Sequence, residues 1–216
     1  MEPRTVILPL VALRGLTIVP NMIINFDLNR DLSKRAIEQA LNENQKVLLV
    51  PQKNVEDESP KQDTLYQVGT ISNIKQVTKL PDNIDRVMVE GVCRARIVEV
   101  FDNDGQYLSA SYEELDDADQ LDPSEEEALT RTLREVFETY IRFYPKIGKT
   151  VWKYFQEDNS LAFLMNQIMI NTPFTYDQKQ KILEIENISK QCEELVSLIM
   201  NEAQIAAIRT QLAIKV

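Results

Sequence analysis

The chain has 216 residues, of which 44% are hydrophobic and 27% charged, enough apolar content for one sizeable core or two small ones. Its 24 basic and 34 acidic side chains leave a formal charge of −10, which repels phosphate backbones and anionic lipid and argues against general binding to nucleic acid or membrane. Histidine is absent, which removes the Ser-His-Asp and Cys-His triads, the HExxH zinc sites and the zinc-deaminase motif together.

The N-terminus, MEPRTVILPL, has an early acid and no continuous apolar stretch, and no run approaches the roughly 18 apolar residues of a membrane span, so a cytoplasmic protein is expected. Period-two patterning with β-branched residues then predicts strands at 22–28 (MIINFDL), 46–50 (KVLLV), 66–78 and 85–101 (DRVMVEGVCRARIVEVF). One helix interrupts them at 32–43, with Leu32, Ala36, Ile37, Ala40 and Leu41 on one face and Asp31 or Ser33 as its cap. Leu80-Pro81-Asp82-Asn83 and Asp102-Asn103-Asp104-Gly105 are turn sequences and predict two hairpins, with consecutive strands antiparallel. This half reads as a barrel or curled sheet carrying one helix.

Residues 113–127, EELDDADQLDPSEEE, hold nine of the 34 acids and no base, so the rest of the chain is close to neutral. The run reads as a solvated connector leading into a helix, capped by Asp122 with Pro123 and Glu125 following or by Ser124 with Glu127. The period then becomes helical: Leu129, Leu133, Val136, Tyr140 and Phe143 form a stripe along 124–144. Further helices are expected at 150–156, 160–170 and 176–186, the last opened by a capping box of Thr175 and Gln178. A long helix follows from about Ile188, in which Leu198, Ile205 and Leu212 recur every seven residues. Its ending, AIRTQLAIKV, lacks a closing glycine, asparagine or proline, so more chain is expected beyond Val216. The reading divides the chain into a β-rich lobe at 1–114, an acidic linker at 115–123 and a helical bundle at 124–216.

Candidate chemistry is sparse. Cys93 and Cys192 are far apart and form no CxxC pair, which suits a reducing compartment and indicates no zinc site. Gly15, Gly69, Gly91, Gly105 and Gly148 are too scattered for a phosphate cradle. FYPKIGKT at 143–150 ends like a Walker A loop, but Phe143 replaces its first glycine and Pro145 removes an amide donor, so a turn between helices is expected around Lys149. Ser33-Lys34 and Ser189-Lys190 could suggest Ser-Lys hydrolysis, yet adjacent helix residues do not face each other. No catalytic, cofactor-binding or metal residue is assigned.

The residues also resemble a family. LPLVALRGLTIVPNMIINFDLNRDLSKRAIEQAL at 8–41 looks like the opening of the Lon ATP-dependent proteases, and KVLLVPQKN at 46–54, LYQVGTISNIKQVTKLPD at 65–82 and VMVEGVCRARI at 87–97 resemble its successive strand motifs. TPFTYDQKQKILEIENISKQCEELVSLIMNEAQI at 172–205 is similar to the part where a helical bundle runs into a long helix, so the resemblance covers nearly the whole chain. Cys93 and Arg94 depart from the family's usual leucine or charged residue, and Trp152 to Phe155 is more aromatic than usual. The resemblance implies an α+β fold: a PUA-like β-barrel lobe with one helix, then an α-helical bundle ending in a long helix. It implies a non-catalytic role, recognising unfolded or damaged polypeptides and organising a homohexamer, with ATP and Mg2+ bound by a separate ATPase domain and proteolysis by a Ser-Lys dyad elsewhere. A free-standing adaptor or ligand-binding module is the alternative. Candidate polypeptide contacts are Ile23, Ile24, Phe26, Leu80 and Pro81, although burial in a sheet is the commoner fate of such side chains. Leu198, Ile205 and Leu212 are candidates for an inter-subunit or coupling helix.

Overall fold

The computed structural model describes residues 6–115, 117 and 121–216. Among the described residues there are six strands: β1 (Ile7–Leu13), β2 (Ile23–Leu28), β3 (Lys46–Pro51), β4 (Val68–Leu80), β5 (Ile84–Phe101) and β6 (Leu108–Glu114). The α-helices described are α1 (Asp31–Asn42), α2 (Pro123–Ile141), α3 (Pro145–Phe155), α4 (Leu161–Asn171), α5 (Tyr176–Leu183) and α6 (Ile188–Ile214). The chain falls into two compact units, one of Met1–Asp116 with Thr175–Glu184, the other of Asp117–Phe174 with Ile185–Val216.

In the first unit the strand order is β2-β5-β4-β3-β1-β6, and β5 also pairs with β6, which closes five strands into a barrel and leaves β2 on the outside. Closure depends on β5, whose 18 residues pair with β4 along most of their length, with β2 through 85–90 and with β6 through 95–101. Register shifts at Ile71/Ser72, Ile74/Gln76 and Ile97/Glu99 supply the bends that a small barrel needs. The two hairpins form at the expected turns. One pairing is parallel: α1 acts as the crossover that returns the chain from β2 to lay β3 beside β1. β1 is absent from the period-two strands because its sequence does not alternate. Its alternate residues feed two different clusters, Leu8, Leu10 and Ala12 in one, Val11 and Leu13 in the other, so both faces are buried.

Two local expectations are corrected in α1. The capping position is Arg30 and makes no side-chain cap bond; Asp31 is the first helical residue and Ser33 is buried inside the helix. Leu41 is exposed, while Ala36, Ile37 and Ala40 pack against Val11, Leu13, Val47 and Leu49.

In the second unit Asp122 caps α2, its carboxylate accepting from Glu125 N–H at 2.9 Å with Pro123 in the first turn, which decides between the two registers. The buried line of α2 is Leu133, Phe137 and Tyr140, and Leu129, Val136 and Phe143 are half-buried beside it. Phe137 stacks on Tyr140 and on Phe155, 6.1 and 5.7 Å between centroids, which is where the aromatic segment 152–155 finds its packing. The segment expected to be a turn around Lys149 is instead the first half of α3. Pro145 opens that helix, where its missing N–H costs nothing, and Lys149 is an exposed helical side chain. The acidic linker expected at 115–123 falls partly on 116 and 118–120, outside the described residues. Among the described residues no helix is long and apolar enough to cross a membrane.

Candidate polypeptide-binding surfaces

The approach to β2 is a tight turn. Met22 N–H donates to Val19 O at 3.1 Å with Pro20 second in the turn and Asn21 third at φ 73°, the arrangement of a type II turn. Asn21 N–H then donates to Gly91 O at 2.9 Å and Gly91 N–H to Met22 O at 2.8 Å, so two residues of the incoming chain oppose one of β5, a G1 bulge. The contact needs glycine: a Cβ on Gly91 would lie 2.4 Å from Val19 O. Thr17, Ile18 and Val19 before the turn are buried, and Thr70 Oγ1 donates to Ile18 O at 2.6 Å.

These constraints set the phase of β2. Ile23, Asn25 and Asp27 are exposed, with Ile23 at 65%; Ile24 and Phe26 are half-buried on the cluster containing Val87 and Val89; Leu28 is buried. Of the three β2 candidates only Ile23 presents most of its side chain to solvent. At the β4–β5 hairpin tip Leu80 is half-buried opposite Ile84, and Pro81 is exposed. Asp82 and Asn83 take left-handed φ of 64° and 59°, and Asn83 O accepts from the Lys34 ammonium. Leu28 and Lys79 both lie opposite Asp85, so the end of β2 carrying Phe26 and Leu28 shares one end of the sheet with Leu80 and Pro81. Ile23 sits about 17 Å away at the other end of β2. Asp85 is buried, and its hydrogen bond to Lys79 Nζ at 2.9 Å holds that ammonium's pKa above its ordinary value.

On the first unit α5 is held by polar contacts that periodicity could not reveal. Gln180 Nε2 donates to Val68 O at 2.8 Å, Glu184 Oε1 accepts from Val68 N–H at 3.0 Å, and Arg94 Nη1, fully buried, donates to Leu183 O at 2.8 Å. Thr17 Oγ1 donates to Tyr176 O at 2.9 Å. Burial pushes the Glu184 carboxyl pKa up despite hydrogen bonds from Val68 and Gln180 that favour its charged form. Arg94 is thus a structural anchor.

In the second unit the buried line of α6 is Cys192, Leu195, Ile199, Ala203 and Ala206, of which Cys192, Ile199 and Ala206 repeat every seven residues one position past the Leu198, Ile205 and Leu212 series. Burial drives the Cys192 thiol pKa up to about 12, so it remains a thiol. Leu198 is half-buried, while Ile205 and Leu212 are exposed, together with Met200, Ile208 and Ile214. A groove of about 780 Å³ runs between α2 and α6, lined in part by Val136, Phe143, Met200, Ala203 and Ala207. The β2 and hairpin candidates and the α6 candidates therefore belong to different compact units.

The fold and these surfaces define a class: a mixed α+β module, a barrel with one crossover helix and an all-helical unit, that offers apolar side chains and an open strand. The model of the ATP-dependent protease La (LON) substrate-binding domain matches residues 7–201, and the chain belongs to that family. The resemblance read from 8–41 onward is borne out. Among curated relatives, the Lon protease of Lachnoclostridium phytofermentans is 37% identical over 100% of this chain and 27% of its own length. That of Escherichia coli K12 is 32% identical over 95% and 26%. The chain thus spans about a quarter of the relatives it matches. The N-terminal domain of a Mycobacterium avium complex Lon protease superposes with a TM-score of 0.72, covering 89% of this chain and 97% of that one at 20% identity. A Lon N-terminal domain protein from Xanthomonas campestris gives 0.60 over 89% and 98% at 13% identity, and both likenesses concern the fold alone.

Proposed function

We propose that this chain is the non-catalytic substrate-recognising part of a cytoplasmic Lon protease, binding unfolded or damaged polypeptides for an ATP-driven protease ring of identical subunits. The observation that carries the reading is the family match across 7–201, whose model describes a substrate-binding domain. Physics supports it. A binder of many unfolded chains needs apolar surface that tolerates varied sequence, and Ile23, Pro81, Met200, Ile208 and Leu212 are exposed. Weak single-site binding is sufficient where several copies act together through effective concentration. Nucleotide and Mg2+ belong, on this reading, to chain outside these residues. The exposed face of α6 with Ile205 and Leu212 would contact another subunit or couple recognition to the ATPase ring.

Titrating the chain into a labelled, permanently unfolded protein, reduced and carboxymethylated lactalbumin, tests the reading by fluorescence anisotropy. Binding to the unfolded probe and not to native lactalbumin is expected. Equal binding to both, or to neither, would overturn it. In the complete protease, serine at Ile205 and Leu212 should slow degradation of proteins more than cleavage of short peptides; an equal effect on both would remove the coupling role.

A further inference from the structure

β2 pairs with β5 alone among the described residues, and the phase of that pairing shows which of its backbone groups are left over. Gly91 N–H donates to Met22 O, which makes Met22–Gly91 a hydrogen-bonded rung. Rungs alternate in an antiparallel ladder, so Ile24–Val89, Phe26–Val87 and Leu28–Asp85 are bonded to β5, and the N–H and C=O groups of Ile23, Asn25 and Asp27 point away from it. The Asp27–Arg86 pair agrees with this phase: directly opposite residues in an unbonded rung stand closest, and Arg86 Nε and Nη2 reach the Asp27 carboxylate at 2.8 and 3.1 Å.

Edges of this kind are ordinarily blocked by lysine, proline, a bulge or an inward charge. Ile23–Leu28 has none of these: its sequence is IINFDL, its register with β5 is unbroken, and its one charge is neutralised across the strand by Arg86. Beside the strand, Leu13, Leu16, Phe26 and Leu28 line a cleft of about 100 Å³, with Arg14 and Arg30 also on its wall, room for one aliphatic side chain. An added strand sends alternate side chains to each face of the sheet, and those on the inner face would meet this cleft.

We propose that the outer edge of β2 takes up an extended segment of unfolded polypeptide as an additional strand, through the backbone of Ile23, Asn25 and Asp27, with one aliphatic side chain seated in the Leu13–Leu16–Phe26–Leu28 cleft. The proposal rests on the polypeptide-binding reading above and specifies its mode. Main-chain hydrogen bonds supply sequence-tolerant affinity, and a single small cleft supplies a preference for an apolar residue. It explains how Ile24 and Phe26 contribute while half-buried: they shape the floor beside the edge and need not face solvent.

Asn25→Pro tests the mode, since proline is tolerated on an edge strand and removes the outward N–H without touching the bonds to β5. Asn25→Ala changes the side chain and keeps the backbone. Using the full chain and the carboxymethylated lactalbumin probe, Asn25→Pro is expected to weaken binding by about tenfold and Asn25→Ala by less than about twofold. Amide hydrogen exchange of the unsubstituted chain gives an independent reading that holds even if the proline variant fails to fold: Ile23, Asn25 and Asp27 amides should slow when the probe saturates. Equal binding by all three proteins, equal weakening in the two variants, or unchanged exchange at these amides would overturn strand addition while leaving polypeptide binding intact. Absence of binding by the unsubstituted chain would overturn the underlying reading instead.

Discussion

Gly91 has no space for a side chain, because a Cβ there would stand 2.4 Å from the carbonyl oxygen of Val19. Gly91→Ala must displace the turn that sets the phase of β2, and a loss of at least about 2 kcal/mol in denaturant unfolding is expected, with weakened polypeptide binding alongside it. Glu184 makes a pH prediction. Its folded pKa lies above its ordinary 4.5 because burial disfavours the carboxylate, so the folded chain binds this proton more tightly than the unfolded chain does. Stability relative to a variant that cannot titrate is therefore greatest at low pH, declines as pH rises from about 4.5 through the folded pKa, and is flat above it. Glu184→Gln keeps an acceptor for Val68 N–H, so urea midpoints from pH 4 to 8 should show the variant gaining on the parent as pH rises. A constant difference would mean that Glu184 does not titrate differently on folding. Neither residue advertises its role in the sequence: Gly91 is one of five scattered glycines, and Glu184 one acid among 34.

At the scale of elements, local chemistry reads well and phase reads less well. The capping box at Thr175 and Gln178 forms as expected, with bonds of 2.9 and 3.3 Å, and the α2 start is one of the two registers the acids allow. α6 shows the limit. A seven-residue series at Leu198, Ile205 and Leu212 marks one stripe, but Cys192, Ile199 and Ala206 recur at the same spacing one position further on, and the buried line, 192, 195, 199, 203 and 206, follows that second series. Serine at both Ile205 and Leu212 should accordingly shift the unfolding free energy of the chain by less than about 0.5 kcal/mol per site, whereas Ile199→Ser should cost at least about 2 kcal/mol. Comparable losses at all three positions would mean that the distal turns of α6 are packed as tightly as Ile199.

For the whole molecule, the first compact unit is discontinuous. Thr175–Glu184 folds with the barrel, although its sequence reads as one helix in a helical half. A chain ending at 114 would lack α5 and leave Thr17, Val68 and Arg94 without the partners named above. Such a fragment should melt at least about 5 °C below a version in which 175–184 is restored through a short linker, the equivalent of about 1 kcal/mol for a domain of this size. Equal melting temperatures would show that α5 contributes nothing to the barrel.

From its sequence alone this protein could be known as a β-rich half followed by a helical half, with its hairpins, its capped helices and its family, because turn chemistry, capping and periodicity act over a few residues and leave local marks. Three features were decided only by the tertiary structure. β1 and β3 pair in parallel and are buried on both faces, so no alternation marks β1. The α5 helix joins the barrel through Gln180, Glu184 and Arg94, contacts that span 89 to 116 residues of sequence and have no periodic signature. Among the described residues β2 is left as the open edge because β5 curls away from it to pair with β6 and close the barrel, and which strand is left with one neighbour depends on that closure, not on the composition of IINFDL itself.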